Sequence, residues 1–202
     1  MNSNPQRRRA RRTFGLSLRI ACLLAFLGQI VSPSVARAQS DISPEYQVKA
    51  AFLYNFAQFV DWPPSDFESQ KDPIVLCVYG KDPFGSVLDD TVRGKTIGSH
   101  SFVVRRPGNL KGLAGCYIAF VTGVSTNQLK DVLSTLDGSK VLSVGDDSHF
   151  AEQGGDIQFV IDHDHVRFLI NIDSVNRANF RMSSKLLALA KIIHDTKQPP
   201  AQ

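Results

Sequence analysis

Hydrophobic side chains recur every three or four residues between 44 and 61, at Val48, Phe52, Phe56 and Phe59, and that period predicts an amphipathic helix with an aromatic face to bury. Ser43 is placed to cap it, and Pro44 suits its first turn. Trp62 stands before Pro63-Pro64, and a residue ahead of proline is pushed away from helical angles, so the helix should stop there. Asn55 falls beside Ala51 and Val48 on the apolar side of the wheel. An amide left dry costs about 1–3 kcal/mol, so the expectation is a hydrogen bond tying the helix to the rest of the fold. Tyr54 lies round towards the other side, as an aromatic available for contact.

After a polar loop over 66–73, the pattern changes to short continuous apolar runs alternating with helical segments. Residues 74–79 read as a central strand, 83–92 as a helix, 101–104 as a strand, 110–114 as a weak helix or turn, and 116–121 as a third strand. Ser125 caps a helix through Leu136, Gly138 is placed to stop it, and 140–144 follow as a strand. Residues 157–161 and 166–172 are then two β-rich runs joined by four polar residues, which predicts an antiparallel hairpin. Asp173 opens a short helix to Ala178. Ser183 or Ser184 opens a final helix whose Leu186, Leu187, Ala190 and Ile193 keep helical spacing. This order of elements predicts a single α/β domain, an open and mainly parallel sheet flanked by helices with an antiparallel C-terminal hairpin.

The first 38 residues read differently. A basic stretch (Arg7, Arg8, Arg9, Arg11, Arg12) leads into an apolar run from Ile20 to Val31, and Ala36-Arg37-Ala38 supplies a small-x-small cleavage site. The run falls short of the roughly 20 residues a bilayer span requires, and Pro33 follows it. The expectation is a signal peptide over 1–38, cleaved after Ala38, then a domain over 39–197 and a flexible tail over 198–202. Arg11-Arg12-Thr13-Phe14 approximates a twin-arginine signal, with the ordinary unfolded route the default. Arg19 replaces the aliphatic residue that lipidation at Cys22 needs. The signal also carries the charge: of 23 basic and 19 acidic side chains in the chain, seven basic and no acidic ones lie in 1–38. The exported part holds 16 basic against 19 acidic, which removes the electrostatic case for nucleic-acid binding. Cys77 and Cys116 remain, and an even count in an oxidising compartment favours a disulfide over two buried thiols on neighbouring strands.

The motifs that carry chemistry are weak. Gly80-Lys81-Asp82-Pro83-Phe84-Gly85-Ser86 follows a strand and opens a helix, yet Ser86 stands where a phosphate loop needs lysine, so an ordinary strand-to-helix turn is expected. Asp162-His163-Asp164-His165 is a run of ligand-type residues in a tight turn, where adjacent side chains diverge. With His100 and His149 remote in sequence, no metal site is expected. Asp89-Asp90 and Asp146-Asp147 read as solvated surface, and Ser148 beside His149 lies in a polar loop without a nucleophile elbow. No catalytic residue and no cofactor is expected. Gly154-Gly155 gives the backbone freedom to lead the loop over 145–153 into the sheet, and such a loop is a natural place for recognition.

The run from Lys49 to Pro63, KAAFLYNFAQFVDWP, resembles the opening signature of the YfiR family. The likeness continues through Phe150 with Gly154-Gly155-Asp156-Ile157, Val166-Arg167-Phe168 with Ile170-Asn171, and Ser183-Ser184-Lys185-Leu186-Leu187-Ala188-Leu189-Ala190. The resemblance implies a periplasmic, non-enzymatic α/β protein that forms a homodimer. It implies repression, by binding the periplasmic sensing domain of an inner-membrane diguanylate cyclase and so lowering cyclic di-GMP, and sequestration by an outer-membrane lipoprotein. It also implies that Cys77 and Cys116 form the family's cysteine pair. This chain lacks the further cysteines that some members carry near the Gly-Gly loop. No residue is assigned to partner contact. An accessory protein that binds a small ligand for another membrane sensor, such as a histidine kinase, is the second reading.

Overall fold

The computed structural model describes residues 43–195 apart from 63, 64, 66 and 68. The expected signal peptide, its cleavage point, the Pro63-Pro64 stop and the C-terminal tail lie outside the described residues.

Helix α1 (Pro44–Phe59) has Ser43 as its N-cap. It gives way to a two-residue strand β1 (Val60–Asp61), which pairs antiparallel with β9 (Arg181–Met182). The helix thus ends two residues before the expected Asp61, because β9 supplies backbone partners there. The rest is β2 (Ile74–Gly80), α2 (Val87–Val92), β3 (Thr96–Ile97), β4 (His100–Arg105), a 3₁₀ turn (Leu110–Leu113), β5 (Ile118–Thr122), α3 (Thr126–Leu136), β6 (Leu142–Gly145), β7 (Ile157–Asp162), β8 (His165–Asn171), α4 (Ile172–Arg177), α5 (Ser184–Leu189) and β10 (Lys191–Ile193).

The main sheet has eight strands in the order β10-β8-β7-β6-β5-β2-β4-β3. It is parallel from β4 through β7, with β8 antiparallel to β7. The expected mainly parallel α/β sheet with a C-terminal hairpin is what forms. Alternation within each buried strand divides the core in two. Leu76, Val78, Ile118, Phe120, Leu142 and Val144 face α1, α2 and α5, whereas Cys77, Ala119 and Val121 face α3. Helix α3 carries the fully formed capping box of Ser125 and Gln128, each side chain satisfying a donor at the helix start. On the α3 side, Cys77 and Cys116 are joined by a disulfide across 39 residues of sequence, their Cα atoms 5.9 Å apart. A loop of that size typically contributes about 2–4 kcal/mol.

Two expectations need correction. The final helix does not reach Ile193: it ends at Leu189, and Lys191–Ile193 turns out as an edge strand parallel to β8. The backbone hydrogen bonds offered by the outer edge of β8 outweigh three residues of helical spacing in a β-branched pair, Ile192-Ile193. The buried ridge of α1 is also displaced from the aromatic stripe, running through Lys49, Ala50, Leu53, Phe56 and Ala57. Val48 is 44% exposed, and Phe52 and Phe59 pack at the rim of the core. Asn55 is half-buried on that rim, where water reaches it, and is not the interior tie to the sheet that was expected.

Connections leaving β2 and β5 set the topology. From β2 the chain crosses over α2 to β4 on one side, then returns past β2 to β5 and continues through α3 to β6. Right-handed crossovers running in opposite directions place α2 and α3 on opposite faces. The carboxyl ends of β2 and β5 are therefore a switch point, the place where open α/β sheets leave a crevice.

Candidate functional site

At the end of β2, Gly80 turns the chain with φ +99, and a Cβ there would lie 2.1 Å from the carbonyl oxygen of Thr122. Only glycine allows this approach. Lys81 N–H then donates to the Thr122 carbonyl at 3.1 Å, after which the two chains diverge, β2 into the turn ahead of α2 and β5 into the start of α3. The crevice between them has a volume of about 460 Å³, within the range of small-molecule sites. The first turns of α1 form one wall, contributing Glu45, Tyr46 and Lys49. Lys81 and Asp82 line the β2 side, and Asp146 and Asp147 follow directly from the end of β6.

The electrostatics of this cleft are unusual for a loop region. Lys49 is only 3% exposed and its ammonium lies 2.5 Å from Glu45 and 2.6 Å from Asp146. It also sits 4.4 Å from the centroid of the Tyr46 ring, within cation–π range. Tyr46 donates its hydroxyl to the same Asp146 oxygen at 3.1 Å. Burial first, and then the Asp146 charge, push the Tyr46 phenol well above its ordinary value. Asp146 is thus a half-enclosed acceptor for two side chains of α1, and not the solvated surface expected of the Asp146-Asp147 pair. Asp147 has one carboxylate oxygen shut away from water with no hydrogen-bond partner. Burial, and secondarily the adjacent Asp146 charge, raise its pKa above the usual carboxylate range.

That raised value makes stability depend on pH in a definite direction. The folded chain holds the Asp147 proton more tightly than the unfolded chain, so the protonated group stabilises fully below about pH 4. That stability is lost as pH rises through the higher folded-state value. The neutral variant Asp147→Asn removes the dependence. Its urea midpoint is expected to exceed that of the parent at pH 7 and to converge with it below about pH 4; a gap that widens on acidification would contradict the assignment.

Other expected candidates disperse. Asp82 accepts from Phe84 N–H at 2.7 Å and from Arg106 at 2.6 Å, so a carboxylate occupies the turn where a phosphate would have to lie. Asp89 pairs with Arg106 and Asp90 with Arg93, each at 2.6 Å, pointing apart as adjacent residues on a helix do. His163 and Asp164 take left-handed angles at the hairpin tip, and His163 is solvent-exposed beside Asp162. His149 pairs with Glu152, while His100 stacks on Phe67 with centroids 3.7 Å apart. Among the described residues no three His, Cys, Asp or Glu side chains converge to hold a metal. Tyr54, expected as a free aromatic, is half-buried against Phe102 with Lys95 over its ring.

The loop over 145–153 is held firmly. Phe150 is fully buried, and Cβ atoms on Gly145 or Gly155 would come within 2.4 and 2.2 Å of its ring. The Gly-Gly pair therefore makes room for an aromatic plug. Ala151 donates to Gln158 Oε1 and accepts from Asn171 Nδ2, which leaves Ser148 and His149 as the exposed part of the loop. A second cavity of about 450 Å³ lies at the opposite end of the sheet beside Cys116. Its charged residues Asp72 and Lys140 are both engaged, so it offers less to a ligand than the switch-point cleft.

The model of the YfiR/HmsC-like family matches residues 46–191. The chain belongs to the YfiR/HmsC-like family. The match takes in α1 from Tyr46 onward and every strand from β1 to β9, and with them every residue of the cleft except Glu45. No curated protein matches the chain. Among solved structures, a conserved domain protein from Vibrio cholerae O1 biovar El Tor aligns at 11% identity with a TM-score of 0.51, covering 76% of this chain and 61% of the other. That likeness concerns the fold.

Proposed function

We propose that this YfiR/HmsC-like protein is a non-enzymatic periplasmic regulator that binds the periplasmic sensing domain of an inner-membrane diguanylate cyclase and represses it, lowering cyclic di-GMP. The family match over 46–191 carries this reading, supported by the export features of residues 1–38. Repression requires only that the protein bind one state of the cyclase better than the other, and a tenfold preference corresponds to about 1.4 kcal/mol. A homodimer, and sequestration by an outer-membrane lipoprotein, belong to the same proposal. The test is affinity capture of the tagged protein from detergent-solubilised membranes, together with cyclic di-GMP levels after deletion of its coding region. Recovery of a membrane protein with a cyclase output domain and a rise in cyclic di-GMP are expected. Capture of a sensor kinase with unchanged cyclic di-GMP would overturn the cyclase assignment. The switch-point cleft favours a second reading, a small-ligand accessory protein for a different membrane sensor, and that outcome would select it.

A further inference from the structure

One hydroxyl in the first turn of α4 faces two acceptors. Ser174 Oγ lies 2.9 Å from the Gly154 carbonyl oxygen and 2.6 Å from Asp156 Oδ1, and a serine hydroxyl has a single proton to give. The other oxygen of Asp156 is already committed. Oδ2 receives the Ser143 N–H at 2.8 Å and the Ser143 hydroxyl at 2.7 Å, while Ser143 Oγ accepts from the Asp156 N–H at 2.9 Å. With Asp156 ionised, Ser174 turns its proton to Oδ1 and the Gly154 carbonyl loses that donor. With Asp156 protonated on Oδ1, the acid donates to Ser174 Oγ and Ser174 donates to Gly154, so each oxygen in the chain has a partner. Ser143, Asp156 and Ser174 are all buried, and the choice therefore lies between protein groups, with water excluded. Burial favours the protonated arrangement, and the serine donors oppose it.

We propose that Asp156 and Ser174 form a proton-operated latch on the Gly154-Gly155 turn, closed while Asp156 holds a proton and released when Asp156 gives that proton to water. The latch acts where the loop over 145–153 leaves for β7. Gly154 has φ +110, and Gly155 directly after it closes over the ring of Phe150, the buried plug of the loop. Gln153 and Gly154 also border a crevice of about 240 Å³ against α3, where a carbonyl let go by Ser174 meets water. The surrounding charges leave the switch to Asp156 itself. Arg177 of α4 favours the ionised form but is held by Asp137 and Asp195. Asp173 is engaged by His194 and the Asp195 N–H, and His149 pairs with Glu152 on the loop. Lys130 of α3 stands exposed at the crevice, and β6 brings no charge. A group whose folded-state pKa is raised stabilises the fold in acid and ceases to as pH rises through that value, so the latch closes in acid and opens in alkali. Opening frees the exit of a loop whose exposed tip is Ser148 and His149. The inference concerns this loop only and holds whichever membrane protein is the target.

The experiment has two readouts on the purified protein, the carbon-13 shift of the Asp156 carboxyl and amide hydrogen exchange over the loop and its glycines, each followed against pH. The carboxyl resonance, assigned by its absence from Asp156→Asn, is expected to titrate with a midpoint above the roughly pH 4 of an ordinary aspartate. Asp156→Asn imitates the protonated acid, since its amide donates to Ser174 as the carboxyl proton does. Loop exchange in the parent should match this variant on the acid side of the midpoint and run at least tenfold faster on the alkaline side. Asp147 titrates in both proteins, so the ratio of their rates isolates Asp156. Ser174→Ala breaks the latch without altering the loop, and its exchange is expected to be fast at every pH. A midpoint in the ordinary range, no titration up to about pH 9, a rate ratio independent of pH, or parent-like behaviour of Ser174→Ala would each overturn the proposal. None of these outcomes bears on the membrane capture, so the two readings fail separately.

Discussion

Asp156→Ala is expected to destabilise the protein by about 5 kcal/mol, a large share of the roughly 5–15 kcal/mol that a domain of this kind possesses. Asp156 is 3% exposed at the entry to β7. Its carboxylate accepts from the Ser143 backbone N–H at 2.8 Å, the Ser143 hydroxyl at 2.7 Å and the Ser174 hydroxyl at 2.6 Å. These bonds join β6, β7 and α4 at one atom pair. Burial pushes the Asp156 pKa upward, and the donors from Ser174 and Ser143 oppose it. Alanine removes the acceptor and leaves the Ser143 N–H and the Ser143 hydroxyl enclosed, at about 1–3 kcal/mol for each stranded group, whereas the Ser174 hydroxyl keeps the Gly154 carbonyl at 2.9 Å. Asp156→Asn should cost much less, about 2 kcal/mol, because it keeps one acceptor oxygen and a serine hydroxyl can rotate to receive its new donor. Urea unfolding followed by circular dichroism gives both values; an alanine variant within 1 kcal/mol of the parent would show that these bonds do not hold the β6–β7 junction.

The fold was legible in the sequence where the signal is local. Strands β2 and β5 are continuous apolar runs because both of their faces are covered, and the turn chemistry of Ser125, Gly138 and the 162–165 tip marks boundaries that the structure keeps. The misjudged face of α1 has a clear cause. Aromatic side chains drew the expected stripe towards Phe52 and Phe59, whereas close approach of the helix to the sheet selects Ala50, Leu53 and Ala57, small or compact residues at the same period. Strand β10 was hidden for the converse reason. Its existence depends on the free edge of β8, about which the local spacing of Ala190 and Ile193 says nothing. The cleft was legible only in part. That Asp146-Asp147 follow a strand end was visible, and the carboxyl ends of parallel strands are where α/β proteins build sites. The burial of Asp146, by contrast, comes from α1, 97 residues earlier in the chain.

Lys49→Met is expected to cost about 3–5 kcal/mol, because it strands Asp146 in a half-enclosed position with Glu45 beside it and no cation between them. The side-chain volume is nearly kept, so lost packing contributes little. Asp146 is 9% exposed, and its one remaining side-chain donor among the described residues is Tyr46, too little to solvate a full charge. Two further variants separate this cause from simple loss of an attraction. Asp146→Asn in the Lys49→Met background should restore much of the stability, since the stranded charge disappears while the amide oxygen still accepts from Tyr46. Asp146→Asn alone should be mildly destabilising, Lys49 retaining Glu45 at 2.5 Å. The coupling between the two sites, read as a double-mutant cycle from urea midpoints, is therefore expected to be large and positive. Additive single effects would mean that the ammonium and the carboxylate are each solvated independently, and that α1 is held over the cleft by its apolar ridge alone.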